Sequence, residues 1–164
     1  MSEPESRTES KKESPETEAT HTLEEARMVL PGIQALFGFQ LVAVYNQPFA
    51  RLLSAGEQRL HLAGVLITAL AITLVMTPAA YHRQAEPHEI SATFLRLSTV
   101  LLTLGMFTLM LSLAIDSYLI ARIILEQRLL SAALTAGLGA VMFGLWFVLP
   151  LWVRRSKQRS SRRI

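Results

Sequence analysis

The stretch Arg27-Met28-Val29-Leu30-Pro31-Gly32-Ile33-Gln34-Ala35-Leu36-Phe37-Gly38-Phe39-Gln40-Leu41-Val42-Ala43-Val44-Tyr45-Asn46-Gln47-Pro48-Phe49 decides the fold. It is long and apolar enough to cross a bilayer as a helix, yet it carries two glutamines near its middle. At 100° per residue Gln34, Gly38, Leu41 and Tyr45 share one stripe, and Gln40 projects from another face. A side-chain amide facing hydrocarbon is costly unless it is hydrogen-bonded. The two glutamines therefore predict protein on both sides of this helix, as in the central helix of a small membrane bundle or of an oligomer.

The rest of the chain fits that reading. Of 164 residues 51% are hydrophobic, although both ends are strongly polar, so the middle is too apolar for a soluble domain of this size. With no cysteine, disulfides and thiolate chemistry are excluded. The net charge of +3 sits beside hydrophobic segments, where it reads as membrane topology and not as a nucleic-acid footprint. Residues 1–21 are expected to be a disordered acidic tail. Thr22 and Glu25 offer a capping box that opens a membrane domain over 22–153. Its spans fall at about 28–47, 62–80, 97–121 and 129–153, and 154–164 is expected to be a disordered basic tail. The fold expected is an all-α, four-transmembrane-helix bundle.

Similar strings recur about seventy residues apart, such as Ala43–Arg51 with Ala114–Arg122 and Thr77–Arg83 with Leu149–Arg155. They are consistent with two parallel-related hairpins. The side holding both termini and the central loop carries twelve of the sixteen Lys and Arg residues. The positive-inside rule therefore places both termini in the cytoplasm, and the membrane expected is the bacterial inner one.

Few residues could carry chemistry. On the third span Ser98, Gly105, Thr108, Ser112 and Asp116 fall in one stripe, a pattern that suits a proton or cation path. The competing reading makes Asp116 half of an ion pair near the span's outer end, with Arg51 the preferred partner and Arg122 the other candidate. Gln34 and Gln40 could line a polar cavity or simply bridge helices. Gly64, Thr68, Ala71, Val75 and Pro78 make a small-residue face on the second span. Ala132, Ala136, Ala140 and Gly144 make a ladder on the fourth, where a neighbouring backbone could approach closely. His82, Glu86, His88 and Glu89 offer metal ligands in one loop, but in no strong motif. The four histidines all read as near-surface residues. No phosphate loop, zinc-protease helix or nucleophile elbow is present, so neither an enzyme nor a cofactor is expected.

The string from Arg27 to Gln40, together with Pro78-Ala79-Ala80-Tyr81-His82-Arg83 and the pair Asp116 and Tyr118, is similar to a bacterial family of unknown function, domain-of-unknown-function family 6328, over about residues 22–155. The resemblance implies a small four-span membrane protein, with sodium/proton antiport as an activity assigned to some relatives. It carries over no catalytic residues. Two function classes follow. One is a self-associating component of proton or monovalent cation transport. The other is a non-transporting scaffold or accessory subunit that binds a partner membrane protein. The basic tail adds a surface for anionic lipid.

Overall fold

The computed structural model describes residues 15–86 and 90–161, and no strand occurs among them. The helices are α1 (Pro15–Val44), the short α2 (Gln47–Leu52), α3 (Ala55–Ala85), α4 (Ala92–Leu125), α5 (Arg128–Phe143) and α6 (Leu149–Ser161). A π-helical turn at Gly144–Val148 joins the last two. Four stretches, Ala19–Val44, Ala55–Ala85, Ala92–Leu125 and Arg128–Ser156, are long and apolar enough to cross a membrane.

The core is the antiparallel α3/α4 pair. On α3 Val65 is buried beside seven other buried residues, Glu57, His61, Gly64, Thr68, Ala71, Val75 and Pro78, which advance by alternating steps of four and three. That is the spacing that keeps one seam facing a partner helix. On α4 the matching buried residues Ser98, Gly105, Ser112 and Leu119 recur every seven. The seam is made of small residues, so the backbones approach closely. A Cβ added to Gly105 would meet Val75 Cγ2 at 2.9 Å, and one added to Gly64 would meet Ile115 Cγ2 at 3.2 Å. Tyr81 stacks on Phe94 where the pair ends, with ring centroids 6.2 Å apart.

The central helix is α4, which packs against α3, α5 and α1. The first span is peripheral, touching α3 and α4 on one side only. Gln40 faces inward and is buried, whereas Gln34 is exposed. The expectation of protein on both sides of this helix is thus not met within one chain.

The helix ends follow local chemistry. Ser54 caps α3 through a capping box with Glu57: the Glu57 N–H points to Ser54 Oγ at 3.4 Å, and the Ser54 N–H donates to Glu57 Oε2 at 2.8 Å. This begins α3 two turns before the expected start at 62. α1 in turn begins at Pro15 and runs through Thr22, so Thr22 is not its cap. Only residues 1–14 of the acidic tail lie outside the described residues; 15–21 are helical. The basic tail likewise continues as helix to Ser161.

The π turn has its cause in Pro150, which lacks an N–H and crowds the carbonyl four residues earlier. The ladder widens there, and the Leu149 N–H reaches back to Gly144 O. The two hairpin connections differ: the first contains α2, while the second is a tight turn at Glu126, with φ 55°.

Candidate functional site

The polar groups of α1, α3 and α4 meet at one place. Gln40, 3% exposed, extends its side chain from α1 across to α4. Its Nε2 donates to Ser112 Oγ at 2.9 Å and to Asp116 Oδ2 at 2.7 Å. Ser112 and Thr68 share a hydrogen bond between their hydroxyls. Both also lie within reach of the Gly64 carbonyl, at 3.2 and 3.1 Å. One consistent chain of donors runs from the Gln40 amide to Ser112, then to Thr68, and ends on that carbonyl. A buried polar network is favourable only when its members are satisfied, and these hydroxyls are.

His61 completes the cluster from α3. Its Nε2 lies 2.9 Å from the Gln40 backbone oxygen. A carbonyl can only accept, so Nε2 carries the proton. In neutral His61 the other nitrogen, Nδ1, is then a bare acceptor. Nδ1 stands 4.0 Å from Asp116 Oδ1, too far for a hydrogen bond. Phe49 of α2 presents its ring to His61, edge to face, with centroids 5.0 Å apart.

Beside this cluster lies a cavity of about 240 Å³ between α1, α2, α3 and α4. Gln40, His61 and Asp116 are the polar residues along it. Apolar side chains, Phe39, Leu53 and Ile120 among them, make up the remaining wall. One buried polar atom here is unsatisfied: Gln40 Oε1 has no hydrogen-bond partner.

Several expected placements change. Asp116 does not pair with an arginine. Arg51 is exposed and forms no ion pair among the described residues. Arg122 pairs with Glu57, its Nε 3.1 Å from Oε1, although the angle is not that of a hydrogen bond, as both atoms lack such a partner. Thr108 turns back to its own helix and donates to the carbonyls of Leu104 and Gly105. Ser98 is fully buried further along the same seam.

The ladder residues Ala132, Ala136 and Ala140 are exposed on α5, and Gly144 is half-buried. No neighbour comes within 4 Å of a Cβ placed on Gly144, so the close approach expected there occurs between α3 and α4 instead. In the central loop Glu86 accepts from both Ser91 groups and from Tyr81, while His82 packs on Phe94. His88 and Glu89 lie outside the described residues.

The residue that sequence reasoning missed is His61, which is buried inside the bundle and not at its surface. The signal was present: the small-residue spacing from Gly64 to Pro78, continued backwards by three and then four, passes through His61 and Glu57.

Fold and cluster together define a multi-pass α-helical membrane protein with a polar site recessed between its helices. More narrowly, the chain belongs to the family of unknown function DUF6328, whose model matches residues 8–150. Neither a curated protein nor a solved structure matches it.

Proposed function

We propose that this protein works in proton or monovalent cation transport, with Asp116 as the group that takes up the ion. The observation that carries this reading is the company Asp116 keeps. A structural acid within a helix bundle is normally neutralised by a neighbouring Lys or Arg. Asp116 faces an amide and an imidazole instead, beside a cavity and an unpaired acceptor. Its depth also supports the reading. Asp116 is six residues inward from Arg122, about 9 Å along the helix, whereas Arg122 with Glu57 makes an ion pair suited to the headgroup boundary.

The polar cluster reaches only part of the way through. Beyond Thr68 the seam closes on Ala71, Val75 and Gly105, so passage across requires a rearrangement or a second copy. Self-association is therefore part of the proposal, with the uncovered ladder of α5 as the contact. That same ladder favours the second reading, in which the chain is a scaffold for another membrane protein. We place both termini in the cytoplasm and the protein in the bacterial inner membrane, on the distribution of Lys and Arg. We assign it no enzymatic role, cofactor or nucleic-acid partner, and give the basic C-terminal segment anionic lipid as its neighbour.

Flux of protons or sodium into liposomes that hold the purified protein tests the reading. Asp116→Asn keeps the shape of the side chain and can still hydrogen-bond Gln40. It is expected to abolish flux while the helical circular dichroism is retained. Unchanged flux in that variant, or none in the parent protein, overturns the role.

A further inference from the structure

We infer that the cavity beside Asp116 is a binding site for a small primary ammonium ion with an apolar body. Three acceptors belong to residues that line it, and none of the three receives a hydrogen bond among the described residues. Gln40 commits both amide hydrogens, to Ser112 and to Asp116, and its Oε1 is left buried and unpaired. Asp116 Oδ1 receives no hydrogen bond among the described residues. His61 donates through Nε2 to the Gln40 carbonyl, so when the ring is neutral its Nδ1, 4.0 Å from Asp116 Oδ1, is an acceptor without a donor. An unsatisfied buried acceptor is costly; Gln40 Oε1 is one, and with Asp116 Oδ1 and His61 Nδ1 beside it also lacking donors, the group calls for a ligand that brings them.

A primary ammonium group supplies three N–H bonds and one positive charge, which matches three acceptors and one carboxylate. An anion or a neutral acceptor would worsen the imbalance. The walls decide the rest of the ligand. Phe39, Phe49, Leu53 and Ile120 line the cavity, and they offer a sodium ion no further ligands while they remove apolar surface from water. Two of the four are aromatic, and a cation against an aromatic face gains further attraction. The volume of about 240 Å³ lies below the roughly 300–1,000 Å³ of pockets for drug-sized ligands, so the body is small. The inference rests on the charge of Asp116, as the transport reading does, but not on any ion crossing the membrane.

Equilibrium binding of phenethylammonium to the full chain in lipid nanodiscs tests this, with 2-phenylethanol as the neutral probe of equal shape. The amine is expected to bind at least tenfold more tightly than the alcohol. Asp116→Asn should erase that difference, and so should Gln40→Leu. Ile120→Trp, which fills the cavity wall and leaves the three acceptors in place, should also weaken the amine at least tenfold, and it serves where the other variants fail to fold. Equal binding of amine and alcohol overturns the inference, as does an amine affinity unaffected by all three variants. Sodium or ammonium chloride that displaces the amine at equal concentration would reduce the site to one for simple cations, and would also overturn it. Amine binding without proton or sodium flux would sink the transport reading alone; flux without amine binding would sink this one alone.

Discussion

Gly105 of α4 faces Val75 of α3 so closely that a single added methyl group would stand 2.9 Å from Val75 Cγ2. Valine is stiff at χ1, and the Ala71 carbonyl lies 3.7 Å from the same point, so neither neighbour yields easily. Gly105→Ala is expected to destabilise the bundle by about 1–3 kcal/mol, the usual cost of overpacking. Gly137→Ala is the control, because nothing lies within 4 Å of its added Cβ. That change should be neutral or should stabilise by up to about 1 kcal/mol through helix propensity. Unfolding of both variants in detergent would measure the contrast, and equal stabilities would mean that the seam is looser than described.

The ion pair expected for Asp116 belongs to Glu57. Glu57 and Arg122 are 11% and 21% exposed, so removal of one strands the other in a half-buried place. Glu57→Gln and Arg122→Gln should each lower the melting temperature, and the double variant should recover part of the loss. Arg51→Gln should stay within about 0.5 kcal/mol of the parent, as exposed substitutions usually do. A double-variant cycle that shows no coupling for Glu57 with Arg122, or strong coupling for Arg51 with Asp116, would contradict the arrangement.

Ser54 sets where α3 begins. Ser54→Ala removes the hydroxyl that bonds Glu57 and is expected to cost about 1 kcal/mol. The first turn of α3 should then exchange its amide hydrogens faster, which deuterium exchange would localise to residues 55–58.

Glu86, in the loop between α3 and α4, is held below the ordinary carboxylate range, chiefly because the Ser91 hydroxyl donates to it; partial burial pulls the other way. The folded loop thus favours the ionised form. Its contribution to stability is fully present above the ordinary value of 4.5 and is lost as pH falls through the lower folded value. Ser91→Ala should move the Glu86 titration up toward 4.5, as followed by carbon NMR of labelled glutamate. An unmoved titration would assign the shift to another neighbour.

Ala140 lies exposed on α5. If a second copy or a partner covers the ladder, Ala140→Leu should shift the protein to a smaller species on size-exclusion chromatography in detergent while it still inserts. An unchanged elution would leave that face to lipid.

Much of this architecture is legible in the sequence. The four apolar stretches are plain, and the small-residue face from Gly64 to Pro78 is the seam itself. Gln40, Ser112 and Asp116 each stand out as polar residues in an apolar setting. Their meeting does not, because 72 to 76 residues separate the partners, and periodicity within one helix says nothing of which neighbour it faces. His61 stayed hidden for a local reason. The charges around it, Glu57 and Arg59, resemble a loop, and only the Ser54–Glu57 cap reveals that the helix has already begun. Gln34 shows the converse: an amide in an apolar run need not be covered by its own chain.

The position of Asp116 has an electrical consequence. If the Arg122–Glu57 pair stands at the membrane boundary, as proposed, a cation bound at Asp116 would have travelled about 9 Å of a hydrocarbon core roughly 30 Å thick. It would therefore have crossed about three-tenths of the membrane field. A full charge crossing 100 mV exchanges about 2.3 kcal/mol, so occupancy of this site carries about 0.7 kcal/mol per 100 mV, or roughly a threefold change in affinity. If the termini are cytoplasmic as proposed, the site opens toward the outside, and an interior-negative potential draws cations into it. The sign of that voltage dependence, measured in vesicles of known polarity, would report which way the protein faces.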